Sequence, residues 1–160
     1  MDIVPLPRAG IGTVIGLMEI LDDSGGRDDV FRLAKELQME LDDILPVIEA
    51  GKLLGFLQVV DGDLMLTDVG KTLLRSDINQ RKDLLWDQLL KIKVFQEVVA
   101  ALKSRSRLRI KRDFFVDLFE QKMSDKDAAQ FFKTVVDWGR YAELIGYDPE
   151  EEIIYLDTEE

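Results

Sequence analysis

The dipeptide Asp61-Gly62 is the feature of this sequence that most constrains its fold. It separates two short apolar runs, FLQVV and LMLT, and an Asp-Gly pair between such runs is a strong signal for a β-hairpin. Three segments with helical apolar spacing precede the hairpin, at residues 12–23, 27–38 and 41–55. Three helices followed by a hairpin are the order of a winged helix. We therefore expect the first part of the chain to fold as one, with the hairpin as its wing.

The starts of the predicted helices carry recognisable signals. Asp28 or Asp29 can cap the second helix and Asp42 or Asp43 the third, because an aspartate side chain accepts hydrogen bonds from the N–H groups of a first turn. Pro46 then falls in the first turn of the third helix, where its missing N–H costs little. These signals determine where we expect the second and third helices to begin.

Two glycine-containing segments look like parts of nucleotide-binding motifs, but both are incomplete. In GIGTVIG, Ile15 stands where a dinucleotide-binding turn needs its third glycine, and no strand precedes it. In VGKT, Met65 stands where a phosphate-binding loop needs its first glycine. We interpret the first segment as helix packing, with Gly12 and Gly16 allowing another element to approach closely. The second is interpreted as a helix start capped by Thr67.

The second half of the chain repeats the plan of the first. Residues 69–104 are predicted to be helical: Thr67 caps the segment DVGKTLLRSD, and residues 78–103 have the pattern of one long amphipathic helix or a broken pair. The basic run SRSRLRIKR follows as a polar connection. Two more helices come next, the second with Ser124 as its cap, and IGYDPEEEIIYLD is typical of a hairpin with an acidic turn. Setting Gly146 against Gly55 aligns the apolar patterns of the two third helices.

We therefore predict a mainly α fold with two small β-wings, in which tandem winged-helix units are joined by a long helical segment. The predicted boundaries are residues 1–77 for the first winged-helix unit, 78–112 for the helical connector with the basic run, and 113–160 for the second winged-helix unit. Units of this size are marginally stable alone, so we expect them to pack as one compact body.

The chain has no cysteine and no histidine. Disulfides, thiolate nucleophiles, the usual zinc sites and imidazole acid–base catalysis are therefore excluded, and a metal could use only oxygen ligands. The acidic runs lie where helix capping or a solvated turn explains them. We expect no catalytic residue, no cofactor-binding site and no metal site, and hence no enzyme. The sequence has no signal-peptide or membrane-span pattern, so we expect a cytoplasmic protein without membrane insertion.

The net charge of −11 is distributed unevenly along the chain. Residues 1–77 hold 7 basic and 15 acidic side chains, residues 113–160 hold 4 and 14, and residues 78–112 hold 10 and 3. DNA affinity comes mainly from Lys and Arg on phosphates. Because the predicted third helices are acidic or mixed in charge, neither is expected to read duplex DNA.

The basic run 103–112 is the one electropositive segment and supplies three candidate partner-binding residues, Arg105, Arg107 and Arg109. It can contact nucleic acid or an acidic protein surface, or it can be a solvated linker that pairs with the acidic parts of the chain. It has no interleaved aromatics of the kind that stacking sites use. Arg140 is a fourth candidate, for pairing with an acidic neighbour in its own helix or with a partner protein. The alternative function that this run allows is a winged-helix transcriptional regulator.

The run WGRYAEL ends the predicted third helix of the second unit, just before its hairpin. Periodicity places Trp138 on the packed side with Tyr141 near it, and Gly139 indicates a close backbone approach. Gly55 and Phe56 belong to the matching segment of the first unit. We interpret these five residues as a structural motif rather than as a ligand site.

Three segments, PLPRAGIGTVIGLMEIL, GKLLGFLQVVDGDLMLTDVGKTL and WGRYAELIGYD, together resemble the AAA-associated C-terminal domain. The likeness extends from about Pro5 to about Leu156. This accessory domain follows the nucleotide-binding domain in many bacterial ATPases of the nitrate/sulfonate/taurine class of ABC transporters. The sequence shows no Walker A motif, no signature motif and no ATPase domain, so ATP hydrolysis is not carried over. The initiator-like Met1 favours a separately encoded relative over an excised domain.

The resemblance implies a cytoplasmic, non-enzymatic regulatory or protein-interaction module whose partner is an ABC-type ATPase or a related complex. No cofactor and no catalytic residue are implied. A homodimer is a further expectation, because Trp138, Tyr141 and the long helical segment offer apolar surface.

Overall fold

The computed structural model describes residues 3–105 and 108–157. Within them the chain is mainly helical with two small antiparallel sheets, which confirms the predicted fold class. The helices are α1 (Ile11–Asp23), α2 (Val30–Glu36), α3 (Leu41–Leu53), α4 (Asp68–Arg75), α5 (Ile78–Leu89), α6 (Lys93–Lys103), α7 (Arg112–Glu120) and α8 (Asp125–Tyr141). The strands are β1 (Arg27–Asp29), β2 (Leu57–Val60), β3 (Asp63–Leu66), β4 (Arg109–Lys111), β5 (Ile145–Asp148) and β6 (Ile153–Leu156).

The chain divides into two compact units, one formed by Pro7–Leu84 and the other by Leu85–Glu160 together with the start of the chain up to Leu6. Each unit contains a helix, a short strand, two helices and a hairpin, in that order. The strands also pair in the same order, β1-β3-β2 and β4-β6-β5. The boundary between the units falls inside the segment 78–112, and α6 and β4 from that segment belong to the second unit.

Both predicted hairpins form. β2 and β3 pair antiparallel over their whole length, and the linking residues Asp61 and Gly62 have φ angles of 51° and 83°. Two consecutive positive φ angles are what the favoured two-residue hairpin turn requires. In the acidic turn of the second hairpin, the Asp148 carboxylate accepts hydrogen bonds from the backbone N–H groups of Glu150 and Glu151.

Three of the predicted helix caps are confirmed. The side chains of Asp29, Thr67 and Ser124 each accept a hydrogen bond from the backbone N–H three residues further on, at the starts of α2, α4 and α8. These bonds satisfy N–H groups that a helix cannot pair internally.

The predicted start of α3 is wrong. Its N-cap residue is Glu40, whose side chain makes no capping hydrogen bond, and Asp42 and Asp43 lie within the first turn, where negative charge still favours the positive helix end. Pro46 consequently lies inside α3 and not in its first turn. At this position a proline removes one backbone hydrogen bond of the helix.

The helical material between the two predicted units is broken, as one of the two alternatives predicted. Asp77 and Gln80 form a reciprocal capping pair at the start of α5: the Gln80 N–H donates to Asp77 Oδ1 at 2.8 Å, and the Asp77 N–H donates to Gln80 Oε1 at 3.0 Å. Further along, α5 ends at Leu89 and α6 begins at Lys93, and Gln96 Nε2 of α6 donates to the Leu90 carbonyl at 2.8 Å. This bond satisfies a carbonyl that the end of α5 leaves without a helical partner.

Candidate partner-binding site

The run from Trp138 to Leu144 ends α8 and leads into β5. Trp138 is fully buried, and its ring is stacked on that of Phe95 in α6 with the two centroids 6.3 Å apart. Further along the run, the Ala142 carbonyl accepts a hydrogen bond from Trp86 Nε1. Trp138 is therefore a core residue that packs α8 on α6.

Gly139 lies directly against the first residue of β5. A Cβ atom on Gly139 would lie 2.4 Å from Ile145 Cγ1, closer than side chains approach one another. Gly51 in α3 has the same relation to the first residue of β2, because a Cβ there would lie 2.2 Å from Leu57 Cδ1. In both units, a glycine near the end of the third helix lets the next strand pack on the helix backbone.

The correspondence continues past the ends of the two helices. Gly55 and Glu143 follow α3 and α8 with φ angles of 83° and 56°, and in both units the next N–H bonds to the carbonyl five residues back at 2.9 Å. This arrangement is a Schellman ending. Phe56, which follows Gly55, is fully buried. Gly55 thus corresponds to Glu143, and the predicted alignment of Gly55 with Gly146 is wrong by three residues.

On their outward sides, the two third helices present the same kind of residue pair. Lys52 and Leu53 of α3 are exposed, and so are Arg140 and Tyr141 at the equivalent positions of α8. Leu53 is 40% exposed and Tyr141 50%. Tyr141 therefore does not share the burial of Trp138, and the interpretation that placed it in the structural motif is corrected. Lys52 pairs with Glu49 at 3.3 Å, whereas no ion pair of Arg140 occurs among the described residues. We call these four residues, Lys52, Leu53, Arg140 and Tyr141, the outer pairs.

The basic run lies at the end of α6 and along β4 of the second unit. The Arg105 guanidinium carbon lies 5.5 Å from the ring centroid of Phe114, and that of Arg109 lies 5.8 Å from the ring centroid of Tyr155. Both distances are within the range of cation–π attraction. Arg107 lies outside the described residues. The fold thus brings aromatic rings to a basic run that has none in its own sequence.

The polar connection predicted for this run contains a strand, so that part of the prediction is wrong. Ile110 is buried, while Arg109 and Lys111 on either side of it are exposed. Alternating polar and apolar residues are typical of a strand with one buried face. This alternation is a sequence signal for strand β4, but it spans only three residues.

Within residues 3–105 and 108–157, no group of three or more Asp, Glu, Cys or His side chains is placed to hold a metal ion. In the same part of the chain, no helix is both long enough and apolar enough to cross a membrane.

The fold and these surfaces define a class of protein: a small, mainly helical module of two similar units. In each unit a glycine near the end of the third helix contacts the next strand, and in the second unit Trp138 packs that helix on α6. A family model described as the C-terminal AAA-associated domain matches residues 31–148. The chain belongs to this family, which confirms the resemblance seen in its sequence. The family's description associates such domains with AAA-type ATPases. No curated protein and no solved structure matches the chain.

Proposed function

We propose that the chain is a non-enzymatic regulatory and protein-interaction module that acts beside the ATPase of a nitrate/sulfonate/taurine-type ABC transporter. Family membership over residues 31–148 is the observation that carries this proposal. The module would lie in the cytoplasm, where such an ATPase hydrolyses ATP. It would change the ATPase through protein contacts and perform no chemistry itself.

The outer pairs support a role in protein contacts. Each combines a cation with a large apolar side chain, and both positions belong to helices whose ends are held by buried glycine contacts. Arginine and tyrosine are enriched among the residues that dominate binding energy at interfaces. Because Arg140 and Tyr141 are exposed and lie on a well-anchored helix, we propose them as contact residues for the ATPase.

Titration of the chain into the purified transporter ATPase from the same cell tests this proposal. We expect a complex of fixed stoichiometry and a changed rate of ATP hydrolysis. Replacing Arg140 or Tyr141 by alanine should weaken the complex by about thirtyfold or more each, the effect of an interface hot spot.

Lys126→Ala is the matched control, since Lys126 is also an exposed cation of α8 but lies at its other end. This variant should bind like the unmodified chain. Absence of a complex, together with an unchanged hydrolysis rate, would count against the proposed function. Light scattering on the chain alone tests the separate expectation of a homodimer.

A second candidate function is a winged-helix regulator that contacts DNA through residues 103–112. The placement of Phe114 beside Arg105 and of Tyr155 beside Arg109 favours it, because cations next to aromatic rings are the composition of nucleic-acid stacking surfaces. A salt-dependent gel shift on genomic fragments, lost when Arg105 and Arg109 become alanine, would support this candidate. No shift at low salt would eliminate it.

A further inference from the structure

Gly16 lies in the middle of α1, and packing does not explain its presence. A helix with a glycine in its interior is less stable than the same helix with an alanine there. At Gly51, Gly70 and Gly139 the reason is close contact, since an added Cβ would meet another atom at 2.2 to 2.4 Å. A Cβ on Gly16 would meet nothing within 4 Å, so the expectation that another element approaches closely there is wrong.

The space over Gly16 is an apolar groove of about 210 Å³ between α1 and the α2–α3 region of the first unit. Its walls include Ile20 of α1, Leu37 and Met39 after α2, and Ile44 of α3. An empty apolar cavity of about 150 Å³ can hold a benzene ring. The groove over Gly16 therefore has room for a large aliphatic or aromatic side chain.

The second unit also has a groove, about 360 Å³ in volume, but it lies between α6 and α7 and its chemistry differs. The first groove is lined on α1 by Thr13, Gly16, Leu17 and Ile20, and the second on α6 by Val94, Glu97, Val98, Ala100 and Ala101. The Glu97 carboxylate in this second lining pairs with Lys93 at 3.3 Å. Of these two grooves, the one in the first unit has no charged residue in its lining, whereas the other includes Glu97.

The sequence next to the residues that line the groove over Gly16 is acidic. Within four positions of its lining residues the sequence has eight acidic side chains and one basic one, Lys35. Glu19 and Asp43 are the immediate neighbours of the lining residues Ile20 and Ile44, and both carboxylates are exposed. No ion pair of Glu19 or Asp43 occurs within residues 3–105 and 108–157. An occupant with positive charges beside its apolar side chains would complement this groove.

We propose that the groove over Gly16 binds a basic amphipathic helix of a partner protein, which inserts a large apolar side chain above Gly16. Helix binding in an apolar groove is a common mode of peptide recognition. The proposal rests on the proposed role as a protein-interaction module, but it does not depend on which ATPase is the partner.

A synthetic fluorescent peptide of about 18 residues, or five helical turns, is the probe. It carries leucines along one face and lysines on both flanks. Two control peptides keep the leucines and replace lysine by glutamate, or keep the composition and scramble the order. Anisotropy should show micromolar binding of the basic helix and at least about tenfold weaker binding of both controls.

Gly16→Leu is the decisive variant, because Gly16 lines the groove and a Cβ there meets nothing within 4 Å, so the leucine side chain should occupy the groove. It should weaken peptide binding by at least about tenfold, whereas Gly16→Ala, which leaves most of the groove open, should bind within about threefold of the unmodified chain. The double charge reversal Glu19→Lys with Asp43→Lys alters only exposed side chains. It should weaken binding by about tenfold at low salt and less at high salt, which keeps the proposal testable if Gly16→Leu does not fold.

Equal binding by folded Gly16→Leu, equal binding of the acidic peptide, or no binding of the basic peptide would overturn the proposal. A concentration-dependent dimer that Gly16→Leu abolishes would also overturn it, because the occupant would then be a second copy of this chain. None of these results involves the ATPase. Failure of the groove can therefore be distinguished from failure of the proposed function.

Discussion

Replacing Gly70 by alanine tests whether the VGKT segment is shaped by packing or by phosphate. A Cβ on Gly70 would lie 2.4 Å from the carbonyl oxygen of Phe56 and 3.2 Å from its carbonyl carbon. That oxygen already accepts a hydrogen bond from the Thr67 N–H at 3.0 Å. Because the obstacle is the backbone of Phe56 and not a flexible side chain, α4 must move away from Phe56 for alanine to fit.

The expected change in the free energy of unfolding follows from a comparison with Gly16→Ala. Gly16 lies in the interior of α1 and Gly70 in the first turn of α4, so the better helix propensity of alanine gains about 1 kcal/mol at Gly16 and at most that at Gly70. Overpacking costs roughly 1–3 kcal/mol and applies at Gly70 only. Gly16→Ala should therefore raise the free energy of unfolding by about 1 kcal/mol, and Gly70→Ala should be less stable than Gly16→Ala by roughly 1–3 kcal/mol.

Urea unfolding followed by far-UV circular dichroism measures this difference. Tryptophan fluorescence is unsuitable, since Trp86 and Trp138 both lie in the unit Leu85–Glu160 whereas Gly70 and Gly16 lie in the other. With a typical slope of about 2 kcal/mol per molar urea, the two midpoints should differ by roughly 0.5–1.5 M. Equal stability of the two variants would refute the packing argument. Stabilisation by ATP and Mg²⁺ that Gly70→Ala removes would show a phosphate site instead.

Three further experiments test the structural assignments. Trp138→Ala should lower the free energy of unfolding by about 3–5 kcal/mol in urea melts, because a fully buried aromatic is removed; a loss under about 1 kcal/mol would contradict its place in the core. Thr67→Ala should cost about 1–2 kcal/mol, since the hydroxyl accepts from Gly70 N–H at 3.0 Å and donates to a carbonyl just after α3 at 2.6 Å; Thr67→Ser should recover most of it. The exposed pair of Arg27 and Asp63, 2.9 Å apart, should contribute less than about 1 kcal/mol in a double-mutant cycle and nothing measurable in high salt; a larger, salt-insensitive coupling would show that the pair is not solvated.

Short-range signals explain what could be predicted from the sequence. The Asp61-Gly62 turn, the caps Thr67 and Ser124 and the order of the helices depend on residues within a few positions of one another, and the structure has all of them. The structural role of Trp138 could also be predicted, because helical periodicity places it on the packed side of its helix. The neighbouring Gly139 indicated a close backbone approach. Their packing partners Phe95 and Ile145 could not be read from the periodicity of one helix.

Long-range pairing explains what could not be predicted. β1 and β4 are three residues long and mainly charged, and each becomes a strand only because a central strand far along the chain pairs with it: Arg27 lies opposite Met65, and Arg109 opposite Tyr155. The misplaced alignment has a local cause. The position that is glycine after α3 is Glu143 after α8, where a side chain adopts a positive φ of 56°, so matching glycine to glycine selects the wrong residue.

The two units share a backbone plan, but the groove over Gly16 in the first unit and the face of β4 in the second differ in charge, and this difference limits which partner segments each can bind. Arg27 and Arg109 occupy the same place in the two sheets, yet Arg27 is paired with Asp63 whereas Arg109 lies over the ring of Tyr155. The first charge is neutralised by a carboxylate, while the second is not, because a cation–π contact leaves the positive charge in place. A basic segment suited to the acidic groove over Gly16 would therefore be repelled by the face of β4. If one partner contacts both the groove over Gly16 and the face of β4, it must offer them two segments of opposite charge.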